Sequence, residues 1–220
     1  MLKELGIDED LERISNEVEE EIKEQFENIE KISEKNSLKV LSAFQNSDLQ
    51  EMHLNSSTGY GIDEAGRNKI EEIYAKVFKA EDSLVRAQFI SGTHALAITL
   101  SALLRPNDTM ISITGAPYDT LQTVIGCGAE ASQSSLKAYG IKYEQIELID
   151  NDFDIKSIQE RLKKRDVKLV EIQRSRGYST RKSLTIEKIE KAIKAIREVN
   201  TEVIIMVDNC YGEFVQDREP

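Results

Sequence analysis

The chain has 220 residues, enough for one sizeable core with an appendage, and its 40% apolar content includes no run of membrane-spanning length. A formal charge of −11, from 40 acidic and 29 basic residues, argues against extended binding to nucleic acid or an anionic membrane, yet allows a local phosphate site made of backbone amides. The two cysteines, Cys127 and Cys210, form no metal-spaced cluster with His53 and His94, and the acidic start MLKELGIDEDLERI lacks the layout of a signal peptide, so a reduced, cytoplasmic setting is expected.

Leu11, Ile14, Val18, Ile22, Phe26, Ile29 and Ile32 recur every three or four residues among Glu and Lys. That spacing predicts an amphipathic helix over 8–33, and 36–46 reads as a shorter one. Together they suggest an N-terminal helical arm over 1–50, followed by a body over 51–220. Between 53 and 67 the Ser- and Gly-rich string HLNSSTGYGIDEAGR reads as a loop, with Asp63 capping a helix that runs to Lys79. Tyr60, set between two glycines, is a candidate site residue, and an incidental aromatic in a turn is an equal reading.

From Ser83 onward strands and helices alternate. Strands are expected over 84–90, 109–113, 141–148, 168–172 and 202–207. Helices are expected over 93–104, 118–125, 155–164 and 186–199, the last two capped by Asp154 and Thr185. Repeated βα units predict an α/β fold with a mostly parallel sheet flanked by helices, whose ligands gather beyond the carboxyl ends of the strands. The glycine-rich 126–131 follows a helix rather than a strand, so it fits a dinucleotide turn poorly.

Ser91-Gly92-Thr93-His94 stands between a strand and a helix start, where unpaired amides and the helix dipole suit a phosphate. A plain turn with Ser91 or Thr93 as N-cap is the competing reading. Other strand ends carry Tyr118, the basic pair Arg174 and Arg176 with Tyr178, and Asp208. A phosphate cradle, an aromatic ring and a carboxylate along one rim are what pyridoxal phosphate requires: the ring stacks on the aromatic, and the carboxylate pairs with the pyridinium N–H. His94 receives no role.

The strings SGTHAL, GAPYDTL, IQRSRGYSTR, VDNCYGEFV and STGYGIDEAGR resemble segments of the bacterial aluminium-resistance family. Its members are also called methionine gamma-lyase-like or cystathionine beta-lyase-like proteins, within fold type I pyridoxal-phosphate enzymes. The resemblance implies that Ser91, Gly92 and Thr93 hold the phosphate, that Tyr118 stacks on the ring and that Asp208 pairs with its nitrogen. It implies Tyr60 as a contact to a neighbouring subunit, hence a homodimer or homotetramer, and Arg176 and Tyr178 as contacts for the substrate carboxylate or the ring hydroxyl. Fold type I enzymes carry their Schiff-base lysine downstream of the aspartate. DNCYGEFVQDREP holds no lysine, so the chain is expected to be the N-terminal portion of such an enzyme, its large domain incomplete, its small C-terminal domain absent, and inactive alone. The expected activity of the complete protein is carbon–sulfur lysis of a sulfur amino acid; the alternatives are an aminotransferase-like protein or a non-catalytic scaffold.

Overall fold

A computed structural model describes residues 3–61, 64–129 and 132–220. The chain forms two compact units, one ending at Leu84 and the other spanning Val85–Pro220. No helix among the described residues is long and apolar enough to cross a membrane.

The first unit is helical: α1 (Glu9–Glu21), α2 (Lys23–Asn46) and α3 (Ala65–Phe78). Asp8 caps α1 by accepting the Asp10 N–H at 2.7 Å. The expected break at 33–36 is absent, and the chain breaks instead at Ile22, whose φ of −100° and ψ of 6° separate α1 from α2. Neither Gly nor Pro stands near 33–36, so no residue there forces a stop. The expected cap Asp63 lies outside the described residues; Glu64 stands before α3 and accepts the Gly61 N–H at 2.9 Å. Ala43 of α2 packs with Ile73 and Val77 of α3. Lys69 and Lys76 hydrogen-bond both the Glu72 carboxylate and the carbonyls at the end of α2, and their ammonium groups hold the Glu72 carboxyl down at about 2.

The second unit is an α/β layer structure. Strands β1 (Thr109–Ser112), β2 (Lys142–Gln145), β3 (Val167–Gln173) and β4 (Ile204–Asp208) are all parallel, in the order β2-β1-β3-β4. Helices α4 (Gly92–Leu103) and α5 (Asp119–Ile125) contribute Leu100, Leu121 and Ile125 to a core with Met110, Leu169 and Met206 on one face. On the other, α6 (Ile155–Leu162) and α7 (Ile186–Val199) pack Ile158, Leu162, Ile189 and Ile196 against Ile111, Val170 and Ile172. The alternation is the strand period of two: neighbouring residues enter opposite cores. Asp154 and Thr185 cap α6 and α7 as expected.

The strand expected over 84–90 does not form. Leu84 and Ile90 are 69% and 84% exposed, and the Phe89 N–H bonds to the Arg86 carbonyl in a turn. Apolar side chains alone do not make a strand; the backbone needs a ladder, and among the described residues none is offered to this segment.

Candidate functional site

The polar residues of the sheet are sorted by the same period of two. Ser112 and Glu171 pair in register, as do Gln173 and Asp208. Glu171 and Gln173 follow Leu169 at alternate positions, and Asp208 follows Met206, so all three share the face covered by α4 and α5. A polar row therefore occupies the carboxyl-terminal half of that face, beyond an apolar floor.

Asp208 ends β4 and is buried. Its Oδ1 accepts the Cys210 N–H at 3.0 Å, while its other oxygen makes no hydrogen bond among the described residues. Burial pushes the Asp208 carboxyl above its ordinary pKa, and the Cys210 amide partly offsets this. Arg174 N–H donates to the Asp208 carbonyl at 3.0 Å, tying the ends of β3 and β4.

Gln173 links the sheet to the aromatic group. Its N–H donates to Thr114 Oγ1 at 3.1 Å, and its Oε1 accepts the Tyr118 N–H at 2.6 Å. Tyr118 thus sits at the N-terminus of α5, with its ring 5.7 Å from that of Tyr178 at a 33° tilt and its hydroxyl 3.4 Å from the other phenol. That hydrogen bond, with the nearby Asp119 charge, pushes the Tyr118 phenol up to about 12. Gly177, at φ +56°, lets the loop turn back; a Cβ there would sit 3.7 Å from the Tyr118 ring.

At the start of α4, Ser91 is the N-cap, accepting the His94 N–H at 3.1 Å. Among the described residues the Gly92 and Thr93 amides meet no acceptor, and a Cβ added at Gly92 would meet nothing within 4 Å. Thr93 Oγ1 lies 2.8 Å from Thr120 Oγ1, which brings the N-termini of α4 and α5 together. His94 is turned back on its own chain: Nδ1 accepts the Ile90 N–H at 3.4 Å and the ring meets Phe89 edge-on.

A chain of contacts thus joins three expected groups: Thr93 to Thr120, two residues past Tyr118; Tyr118 to Gln173; Gln173 to its ladder neighbour Asp208. Arg176 is exposed and, among the described residues, its guanidinium makes no hydrogen bond or ion pair, while Tyr178 meets Tyr118 through its ring and phenol. Tyr60 belongs to the other unit, where it is 96% exposed.

The basic pair expected at this rim is divided. Arg174 follows Gln173, so its side chain goes to the opposite face, where it is buried. It donates to the Leu184 carbonyl at 3.3 Å, Asn209 Oδ1 at 2.8 Å, the Gly212 carbonyl at 2.6 Å and Gln216 Oε1 at 2.9 Å, with Glu219 at 3.8 Å. It is a strut for the chain after Asp208, not a rim charge.

Sequence reasoning gave no role to Ser112, Thr114, Glu171 or Gln173. The signal for Glu171 was present, an acid inside the apolar run LVEIQ of a strand expected to be buried on both faces.

The donors fit pyridoxal phosphate. Open amides at a helix N-terminus suit a phosphate, and a buried carboxylate with one oxygen free suits a cationic ring N–H.

The methionine gamma-lyase family model matches residues 11–220. The chain is 42% identical over 211 residues to the uncharacterized protein YnbB of Bacillus subtilis (strain 168), covering 96% of this chain and 50% of that protein. It is similar, with a TM-score of 0.94 and 44% identity, to the crystal structure of a Clostridium acetobutylicum candidate cystathionine beta-lyase involved in aluminum resistance, covering 100% of this chain and 52% of that one. A likeness of TM-score 0.59 at 17% identity to the pyridoxal-5'-phosphate dependent protein YhfS from Escherichia coli, over 82% of this chain and 45% of that one, shows the fold alone. The chain spans about half the length of the first two relatives. By the extent of these matches, the chain belongs to the methionine gamma-lyase family.

Proposed function

We propose that this chain supplies the phosphate, ring and ring-nitrogen contacts of a pyridoxal-phosphate-dependent carbon–sulfur lyase acting on a sulfur-containing amino acid. The observation that carries the reading is Asp208, a buried carboxylate with one unused oxygen, linked through Gln173 and Tyr118 to the open N-terminus of α4. The family match and the name of the Clostridium acetobutylicum neighbour, which speaks of cystathionine beta-lyase, support it.

When bound, the coenzyme supplies an electron-accepting ring for the charge left at the substrate's α-carbon. The Gly92 and Thr93 amides, helped by the α4 dipole, bind its phosphate. The Tyr118 ring packs on the pyridine face and keeps water from it. The free oxygen of Asp208 holds the proton on the ring nitrogen. Arg176, unpaired and exposed, and Tyr178 meet the substrate carboxylate at the rim. Tyr60 serves a neighbouring subunit's site, which makes the complete protein a homodimer or homotetramer working in the cytoplasm.

The test is an absorbance titration of the complete protein with pyridoxal phosphate, followed by assay of cystathionine and methionine cleavage. Wild type should bind the coenzyme, turn yellow and release a thiol product, and Asp208→Asn should bind it but lose most activity. A protein that stays colourless and indifferent to the coenzyme would refute the reading.

A further inference from the structure

Glu171 is the least solvated ionisable group among the described residues of the second unit. It is 0% exposed, and neither carboxyl oxygen has a hydrogen-bond partner. Ser112, facing it from the paired position on β1, has a buried hydroxyl that makes no hydrogen bond of ordinary geometry yet stands near enough to act on the Glu171 carboxyl. Glu171 lies on the site face of the sheet, two residues before Gln173, the ladder neighbour of Asp208.

We propose that Glu171 is a positioning residue for Asp208: it holds its proton beneath the site after Asp208 has lost its own, and so leaves Asp208 as the first carboxylate offered to a cationic ring nitrogen. The proposal rests on the reading that these strand ends hold pyridoxal phosphate, and deepens it.

The division follows from the donors each acid meets. Two carboxyl groups on one face of a sheet, both withdrawn from water, do not ionise together; the better-solvated one loses its proton first. Asp208 accepts the Cys210 amide and keeps 8% of its surface exposed, whereas Glu171 accepts no backbone amide among the described residues and is fully buried. As the acid, Glu171 can donate its proton to the Ser112 hydroxyl; as the carboxylate it has that one hydroxyl and the Arg181 charge to favour it, and burial outweighs both. The groups whose charge acts on it are Asp208 from β4, which opposes its ionisation, and Arg181 from the loop after β3, which favours it. Arg181 is already engaged, donating to the Gln173 and Ser175 carbonyls. The Cys127 thiol after α5 and the Tyr143 phenol of β2 face the same region, and both feel Glu171 as a like charge.

The test follows side-chain carboxyl carbons by NMR in protein labelled with 13C at Asp and Glu. One Glu carbon should titrate with a midpoint near 7 and vanish in Glu171→Gln, with Glu171→Asp as the second assignment should the first variant not fold. In Asp208→Asn that midpoint should fall by roughly one unit, since the like charge is gone; a residue with only a structural role would not show this. An ordinary Glu171 midpoint in the carboxylate range, or one unmoved by Asp208→Asn, would overturn the proposal. Pyridoxal phosphate added to the same samples separates the two ideas. Failure to bind it sinks the functional reading, while the carbon titrations still decide the charge relation between Glu171 and Asp208.

Discussion

Replacing Arg174 with methionine keeps the length of the side chain and removes its charge and its donors. The strut it dissolves ties four acceptors, the Leu184 and Gly212 carbonyls, Asn209 Oδ1 and Gln216 Oε1, to the end of β3. Gln216 keeps the Ile186 N–H and the Gly212 carbonyl keeps the Val215 N–H, so the loss falls mainly on the Leu184 carbonyl and Asn209 Oδ1. A buried acceptor left unpaired costs about 1–3 kcal/mol, and breaking a buried charged network about 3–5 kcal/mol. Local release of 209–216 caps the global loss, because the loop can detach before the sheet unfolds. The expected result is therefore a drop of about 3 kcal/mol in urea unfolding, with faster hydrogen exchange at Cys210 and Gly212 and weaker coenzyme binding at Asp208. Arg174→Lys, which keeps the charge but not the fork, should fall between the two. Stability within about 0.5 kcal/mol of wild type and unchanged exchange in the loop would refute the strut.

Other expectations follow from the same contacts. Burial raises the Glu171 carboxyl from 4.5 to about 7, so its neutral form stabilises the fold fully below pH 4.5, and that contribution is lost as pH rises through 7. Glu171→Gln, neutral throughout, should match wild type in unfolding experiments at pH 4 and exceed it by about 3 kcal/mol at pH 8; a pH-independent difference would contradict this. Gly212→Ala places a Cβ 2.7 Å from the Arg174 side chain and should weaken the loop in the same direction as Arg174→Met, read by the same exchange experiment. Tyr178→Phe removes the phenol that raises Tyr118, so tyrosinate absorbance at alkaline pH should show the Tyr118 midpoint falling from about 12 toward 10.

The sequence carried most of the sheet because β3 and β4 lie in apolar runs between turn signals, while β2, Lys142–Gln145, is polar and shows only through the apolar residues that flank it. It misled at 84–90, where Val85, Phe89 and Ile90 supply apolarity but no neighbouring strand supplies hydrogen bonds. The helix break at Ile22 was hidden because the apolar stripe runs through it without a glycine or proline. At the candidate site, Asp208 and Tyr118 were singled out from their places at a strand end and at the start of the helix that follows a strand. Arg174 and Arg176 look alike in one dimension, and only the alternation of β3 sends the first under the sheet and leaves the second in water. Gln173 and Glu171 went without roles because their importance lies in pairings across strands, with Asp208 and Ser112, that local spacing does not encode.

The account turns on the pyridine nitrogen meeting Asp208, and 15N NMR of the protein loaded with pyridoxal phosphate labelled at that atom reads the contact directly. In wild type at neutral pH the nitrogen should carry a proton, and in Asp208→Asn it should lose it. A nitrogen that is unprotonated in wild type, or indifferent to the substitution, would contradict the account.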